Sequence, residues 1–426
     1  MRFSFVVLGV LFVCGFAWPT AAADRGPVDL AALLDELDRA SPELLALRAR
    51  ADAAATVPLQ REALPDPKLA VLYTNDGVKD FTLGSSEFTN LAVGWEQEVP
   101  YRSVRDRAAA VAEADAETLR ASTRTAGARL RAKVITLYAE LWRLDHTGAL
   151  LDESRALLAS AVEAVQARYE SGEGIQEGLI RAQGALSRVD LAVEELSLAR
   201  RKTEIALAAA LGRPGDPEFG PARELPEIAG AIDGEQLAAA AASASPELLE
   251  SLQKERVAEA LLDEARAQLK PTFAWLASYQ FRAGLDPMVM GGFTVRLPVW
   301  KDKKQARAIA GAELARSAAE HDRKGSELRA RAEARELVAD IASIDSRLRV
   351  YREAIVPRAE AAFASANAAF ASGRAEMFLV LDDLSAWIAD RREALTLSAE
   401  KIAAVASLEA TTATALFDVP RPGRSQ

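Results

Sequence analysis

The chain is poor in the residues that carry much of enzyme and metal chemistry. Its 426 residues include one cysteine, Cys14, and two histidines, His146 and His321. The cysteine lies in an apolar run at residues 3–16, and no Cys/His cluster has the spacing of metal ligands. No nucleophile elbow, phosphate-binding loop or dinucleotide fingerprint occurs. The sequence therefore predicts a protein that is not an enzyme and has no cofactor, resident metal or disulfide.

Two further absences limit its partners and its compartment. Acidic residues (62) outnumber basic ones (52), the net charge is −10, and no basic stripe occurs, which disfavours a nucleic-acid partner. Past Ala23 no apolar run is long enough to cross a membrane as a helix, so a spanning segment would need strands. Arg2, the apolar run and the small residues before Asp24 predict a secretory signal peptide at residues 1–23.

Heptad-patterned helical sequence is abundant instead. Between residues 103 and 169, apolar side chains recur at spacings of three and four, which is typical of helices that pack along a seam. At about 1.5 Å per residue this run would be about 100 Å long, too long for a compact domain. It stops at Ser171 and Gly172, and a second seam follows at residues 179–210. Two helices joined by so short a turn form an αα-hairpin.

The whole pattern occurs twice, at an offset of about 200 residues. The sequence Ser-Pro-Glu-Leu-Leu begins at Ser41 and again at Ser245, and the Ser-Gly turn returns at Ser372 and Gly373. Each half reads as helix, two strands and a long helical hairpin. We therefore predict the following division: a first repeat at residues 24–212, a Pro/Gly-rich linker at 213–232, a second repeat at 233–417 and a polar tail at 418–426.

Each half contains two segments with the period of two that is typical of strands. They are predicted at residues 68–73 and 90–99 in the first half, and at 272–281 and 293–297 in the second. Large apolar side chains alternate with small or polar ones, which suits a barrel with lipid outside and water inside. One chain has too few strands for a barrel. Two chains would supply 8 and three would supply 12, and only the larger barrel leaves a lumen.

This duplicated layout resembles the TolC-like outer-membrane efflux family, the outer-membrane factors, over essentially all of the chain past the signal peptide. The motifs that carry the resemblance are the Ser-Pro-Glu-Leu-Leu helix starts, the strand–helix junctions at Pro100 and Pro298, and the Tyr-x-Ser-Gly-x-Gly turn at residues 169–174. The segment around Pro357, a predicted helix kink, is similar to a recurrent family segment. Residues 64–67, Leu-Pro-Asp-Pro, resemble heavy-metal efflux members.

The resemblance implies a mainly α fold with a small β part. Long coiled-coil hairpins and four strands per chain would combine in a homotrimer into an α-barrel and a 12-stranded β-barrel. The barrel would lie in outer-membrane lipid and the helices in the periplasm, with a periplasmic adaptor and an inner-membrane pump as partners. The implied function is passive export, with metal ions or small toxic compounds as expected substrates. The outlet of a type I protein-secretion system and a pore-less periplasmic coiled-coil scaffold stay open as alternatives.

The resemblance also assigns roles to residues near the two turns. Ser171, Gly172, Ser372 and Gly373 would form the periplasmic tips that dock the adaptor, although a chain reversal alone also calls for glycine. Acidic side chains a short way past the tips would ring the tunnel entrance. The candidates for this ring are Asp382, Asp383, Glu173 and Glu177.

Two departures from the family pattern reduce the number of acidic side chains expected in this ring. Leu379 and Gly178 stand where the resemblance predicts acids. Threefold repetition would still turn one aspartate into a ring of three charges that attracts cations. A solvated helix face is the alternative interpretation of the same residues.

Overall fold

The computed structural model describes residues 26–83, 86–172, 176–215 and 218–418. The predicted signal peptide and nearly all of the predicted polar tail lie outside these ranges. Within them the chain is mainly α-helical with one four-stranded sheet, which confirms the fold class predicted for the single chain.

The elements of the second half repeat those of the first in the same order, with two differences. One helix takes the place of two before the strands, and a π turn divides the long helix after them into two. In chain order they are α1 (Leu30–Ala40), α2 (Pro42–Ala55), α3 (Val57–Glu62), β1 (Lys68–Thr74), β2 (Asn90–Val99), α4 (Arg102–Glu170), α5 (Gln176–Leu211), α6 (Gly234–Ala244), α7 (Pro246–Ala267), β3 (Thr272–Phe281), β4 (Met288–Arg296), α8 (Gln305–Val350), the π turn (Tyr351–Ile355), α9 (Val356–Ala371) and α10 (Met377–Thr412).

Helix starts follow from their capping residues. The carboxylate of Asp29 accepts the N–H groups of Ala31 and Ala32 at 3.2 and 3.3 Å, which satisfies two donors that the first turn of α1 leaves without a partner. Both Ser-Pro pairs place proline at the first position of a helix, where its missing N–H costs nothing. In the second half the Ser245 hydroxyl also accepts the N–H of Leu248 at 3.1 Å.

The long helices pack side by side as a ribbon. α4 has 69 residues, so it is about 100 Å long, as the seam predicts. In the half of the ribbon next to the turns the packing order is α5, α4, α10, α9, and in the half next to the sheet it is α2 and α3, α4, α7, α8. α1 and α6 lie beside the middle of the ribbon. The largest buried cluster lies there, and Leu34, Leu37, Leu141, Leu207 and Leu408 belong to it.

The sheet is antiparallel with strand order β1-β2-β3-β4, so the pairing of β2 with β3 joins the two halves of the chain. Three of the predicted strands agree with the structure to within one residue. The prediction for the fourth, residues 293–297, is wrong at both ends. β4 begins at Met288, because Gly291 and Gly292 interrupt the apolar pattern without interrupting the pairing, and it ends before Leu297, which begins a turn.

Candidate functional site

The two hairpin turns close with the same backbone geometry. Ser171 and Ser372 are the C-cap residues of α4 and α9, and Gly172 and Gly373 follow with φ of +79° and +70°. Only glycine enters this left-handed region without cost, because it has no Cβ. After α9, the N–H groups of Gly373 and Arg374 donate to the carbonyls of Phe370 and Ala369 at 3.0 and 2.9 Å. These two bonds satisfy carbonyls that a helix end leaves without partners.

The structure brings the two turns together through Arg168. Its guanidinium donates to the carbonyl oxygens of Phe370 and Ala371 at 2.8 and 3.4 Å, and it lies over the Phe370 ring at 4.4 Å from the centroid. A buried apolar cluster from α4, α5, α9 and α10 lies beside this contact. Its members are Val165, Ala182, Ala366, Phe370, Met377 and Val380. The two tips are therefore packed against each other within one chain.

A groove of about 490 Å³ lies between the tips. Glu177 and Arg181 line it and form an ion pair of 2.7 Å, and the Arg181 guanidinium lies 5.4 Å from the centroid of Phe378 on α10. A Cβ at Gly178 would lie 3.6 Å from Val165, which is an ordinary van der Waals distance, so the packing here does not require glycine. The predicted entrance acid Glu177 thus lies at the tips, where its charge is balanced by a neighbouring arginine.

The other predicted entrance acids have different surroundings. Asp382 is exposed and Asp383 is half-buried, and neither forms an ion pair or hydrogen bond with another residue in the described part of the chain. Val380 and Leu384 on either side of Asp382 are buried against the neighbouring helices, so the aspartate lies on the opposite face of α10. Glu173 lies outside the described residues.

Sequence reasoning missed Arg168 and Arg181. Arg168 lies in the last turn of α4, where a basic residue is favourable because helix-end carbonyls attract donors. That position was a signal for a carbonyl partner, but not for a partner on the other hairpin. Arg181 lies one helical turn after Glu177, a spacing at which opposite charges pair.

The predicted junction prolines separate strand from helix in both halves. Pro100 lies between β2 and α4, and Tyr101 next to it is the N-cap residue of the helix. Lys270 from the other half lies over the Tyr101 ring, and its amine lies 2.7 Å from the Ser103 hydroxyl oxygen. Pro298 follows β4, but a further turn separates it from α8.

Pro357 is the second residue of α9 and lies two residues after the end of the π turn. The N–H of Val356, which follows the turn directly, donates to the carbonyl of Tyr351, five residues back. Proline lacks an N–H and clashes with the carbonyl four residues before it, and the wider π turn gives this clash room. The Arg352 guanidinium donates to the Ser398 hydroxyl at 3.0 Å, which attaches the π turn to α10.

One face of the sheet is apolar, and the other carries polar, small and a few apolar side chains. Odd-numbered residues of all four strands share the apolar face because the register pairs odd with odd. Its members are Leu69, Val71, Tyr73, Leu91, Val93, Trp95, Gln97, Val99, Phe273, Trp275, Ala277, Tyr279, Phe281, Val289, Gly291, Phe293 and Val295. Many of these side chains are exposed, with Val71 and Phe293 at 66% and Val289 at 79%. Residues such as Lys68, Glu96, Gln280 and Arg296 lie on the opposite face.

Both edges of the sheet and both edges of the ribbon lack a neighbour among the described residues. β1 pairs only with β2, and β4 pairs only with β3. At the outer edge of the ribbon, α5 exposes Leu191, Leu198 and Ile205, which recur every seven residues. Such a stripe is typical of a helix that packs on another helix.

The two histidines are far apart, on α4 and α8. His146 packs against Trp142 with the two rings tilted by 34° and their centroids 4.4 Å apart. In the described ranges no group of three or more His, Cys, Asp or Glu residues is arranged to hold a metal ion. No helix within those ranges combines the length and apolar character needed to cross a membrane.

No protein-family model and no curated protein matches the chain. Several solved structures nevertheless share its fold over most of its length. The outer-membrane channel OprN is 16% identical, with a TM-score of 0.76 and coverage of 90% of this chain and 89% of that one. The outer membrane protein VceC from Vibrio cholerae is 18% identical, with a TM-score of 0.74 and coverage of 90% and 95%. The MtrE outer membrane channel of Neisseria gonorrhoeae, in its open state, is 15% identical, with a TM-score of 0.75 and coverage of 92% and 90%.

These similarities show that the chain has the fold of outer-membrane channels, which confirms the fold that the resemblance implied.

Proposed function

We propose that three copies of this chain form a channel in the outer membrane that serves as the exit duct of a tripartite efflux system. The observation that carries this proposal is the sheet, whose exposed apolar face extends across all four strands, while its opposite face is small or polar except for Leu72, Leu276, Met288 and Met290. Water would disfavour so large an exposed apolar surface, and lipid would not. The shared fold with outer-membrane channels supports the same assignment.

The open sheet edges argue for several copies. In lipid every backbone N–H and C=O group needs a partner, so an open sheet cannot stay in a bilayer. Pairing β4 of one copy with β1 of the next removes the edges, and three copies give a closed barrel of 12 strands. A barrel of that size leaves a lumen, whereas 8 strands are filled by their own side chains.

The free edges of the helical ribbon are also consistent with a ring of three copies. The exposed stripe of Leu191, Leu198 and Ile205 on α5 would pack on the free edge of the next copy. Three four-helix ribbons would then close a tunnel of 12 helices below the barrel. The Ser-Gly tips lie at the far end of helices about 100 Å long, so we place the barrel in the outer membrane and the tips in the periplasm.

We assign the tips, Ser171 with Gly172 and Ser372 with Gly373, to docking of a periplasmic adaptor that links the duct to an inner-membrane pump. Export through the duct would be passive, and metal ions or small toxic compounds are the proposed substrates. Asp382, with Asp383 beside it, remains the candidate for an acidic ring at the entrance because its carboxylate is exposed. Two structural repeats joined by a linker at residues 213–232 are part of the same proposal.

A matched pair of lysine substitutions tests the membrane assignment. Val93→Lys puts a charge on the apolar face, where it would cost about 2 kcal/mol near the middle of a bilayer. Gln280→Lys puts the same charge on the polar face, one residue along β3 from the partner of Val93. We expect heat-modifiable trimers in outer membranes for the wild type and Gln280→Lys, and a strong reduction for Val93→Lys. Equal trimer yields would contradict the proposal, and a water-soluble periplasmic rod would favour the scaffold.

Deletion of the gene tests the efflux assignment. We expect the deletion strain to become sensitive to toxic metals or small compounds while the amount of pump protein stays unchanged, because the duct lies downstream of the pump. Unchanged sensitivity across a broad panel, together with loss of a secreted protein from the medium, would favour the type I secretion outlet.

A further inference from the structure

The second strand–helix junction contains an additional turn, residues 299–304, which we call the junction turn. In the first half only Pro100 and Tyr101 separate β2 from α4. In the second half the junction turn lies between Pro298 and α8. Two backbone hydrogen bonds close this turn: the carbonyl of Trp300 accepts the N–H groups of Lys303 and Lys304 at 3.0 and 2.9 Å.

One part of the junction turn is apolar and fully open. Val299 and Trp300 are 70% and 69% exposed, and Leu297 just before them is 60% exposed. They follow Phe293 and Val295, which lie at the end of the apolar face of the sheet. Exposed apolar side chains therefore continue along the chain past the last strand, as far as the indole of Trp300.

The other part of the junction turn is basic. Lys301, Lys303 and Lys304 are exposed, Arg307 follows in the first turn of α8, and Asp302 is the single acid among them. None of these four cations forms an ion pair with a residue in the described part of the chain. Cations near a helix N-terminus are unfavourable for the helix, so they do not stabilise α8. In a chain with a net charge of −10, this concentration of unpaired positive charge needs another explanation.

We propose that the junction turn binds the phosphate groups of anionic phospholipids in the bilayer leaflet nearest the helices. This inference rests on the proposed function, which places the sheet in a bilayer. Trp300 would lie at the boundary of headgroups and acyl chains, where indole rings concentrate. The lysine ammonium groups would then reach the phosphates. Continuity with the apolar face and complementary charge both favour lipid over a protein partner.

Brominated lipids test the inference in the assembled protein. Wild type and Trp300→Phe are reconstituted into bilayers of phosphatidylcholine and phosphatidylglycerol in equal amounts, with bromine on the acyl chains of one lipid or the other. The difference in fluorescence between the two proteins isolates the quenching of Trp300. The charge variant carries Lys301→Gln, Lys303→Gln and Lys304→Gln. The control variant, which removes three exposed cations from the helices, carries Lys202→Gln, Arg349→Gln and Arg358→Gln.

A lysine beside a surface phosphate favours an anionic lipid about fivefold, so we expect at least that preference for phosphatidylglycerol around Trp300. The control variant should keep the preference, and the charge variant should lose it. Equal quenching by both lipids in the wild type, or an unchanged preference in the charge variant, would overturn the inference. Quenching of Trp95 and Trp275 in the sheet distinguishes a failure of this inference from a failure of the proposed function. If neither lipid quenched these two tryptophans, the proposed function itself would be overturned.

Discussion

A single arginine connects the middle of the ribbon to the linker. The Arg200 guanidinium donates to Asp145 at 2.8 Å, to Glu204 at 2.5 Å and to the carbonyl of Phe219 at 3.0 Å. The two carboxylates also accept the N–H groups of Ala222 and Phe219. Burial acts to lower the pKa of Arg200, but the hydrogen bond to Asp145 and the charges of Asp145 and Glu204 outweigh it, so the pKa is raised. The guanidinium therefore stays charged and paired.

Arg200→Met should reduce stability by about 3 kcal/mol, because it leaves the largely buried carboxylate of Asp145 without its cation and leaves Glu204 with Arg201 alone, 3.5 Å away. Thermal melting followed by circular dichroism measures the loss. Arg188→Met, an exposed residue on the same helix, is the control. Equal melting of the two variants at neutral pH would contradict the prediction.

At the tips, the loss of Arg168 should weaken the contact between the two turns more than the loss of any other side chain. Arg168→Ala removes a charged hydrogen bond and a cation–π contact, together about 2 kcal/mol, and should let the two tips separate more readily. We expect faster hydrogen exchange at the ends of α4 and α9, with the core of the ribbon unchanged. Arg358→Ala, an exposed arginine on α9, should leave exchange as it is. Equal exchange in both variants would show that other contacts hold the tips.

At the scale of elements, the π turn corrects a change of register in the seam of α8 and α9. Ile341, Ile344 and Leu348 are buried before it, and Ala366 and Phe370 after it. Leu348 and Phe370 are separated by one residue more than three heptad repeats. The π turn holds one residue more than an α turn, so it absorbs the extra residue and keeps both segments facing α10.

Deletion of one residue should therefore be tolerated in the π turn and harmful in α8. Deleting Glu353 together with Pro357→Ala allows a continuous α-helix whose buried positions still face α10, so we expect nearly normal trimer yield. Deleting the exposed Ala342 instead turns all later side chains by about 100°, because an α-helix has 3.6 residues per turn, and should abolish assembly. Native gel electrophoresis of membrane extracts compares the two. Equal yields would show that the π turn has no role in the seam.

At the scale of the molecule, a single chain leaves surfaces without a packing partner among the described residues. Its sheet has two open edges and its ribbon has two free sides, one of them with the stripe of Leu191, Leu198 and Ile205. Each feature is unfavourable in isolation and becomes favourable when copies close a ring, because the same edges then pair and the same apolar side chains are buried. Folding and assembly are therefore expected to be coupled.

Charge in the α5 stripe should block assembly. Leu191→Glu with Leu198→Glu would place two carboxylates in each proposed contact between copies, and we expect monomers or aggregates in place of trimers. Leu191→Met with Leu198→Met keeps the apolar character and should assemble. Cross-linking in intact cells measures the oligomer. Trimers of normal yield from the glutamate variant would show that α5 faces solvent and would contradict the proposed ring.

Local patterns in the sequence are enough to predict the type, order and approximate length of the elements. The long helices and three of the four strands lie where the heptads and the period of two predict them, since both patterns are local properties of consecutive residues. The left-handed turns were predictable for the same reason, because Gly172 and Gly373 are required by the backbone of the turn itself. The boundaries of β4 were not predictable, because pairing with β3 overrides the weak strand preference of Gly291 and Gly292.

The pairing of charged residues, by contrast, depends on how the helices pack in three dimensions. Glu177 and Asp382 are alike in sequence, but a neighbouring arginine neutralises the first and the second has no partner among the described residues. The main acceptor of Arg168 is a backbone carbonyl in the other half of the chain, and a carbonyl has no signature in sequence. Such contacts depend on how residues about 200 positions apart are packed together, which the local patterns do not encode.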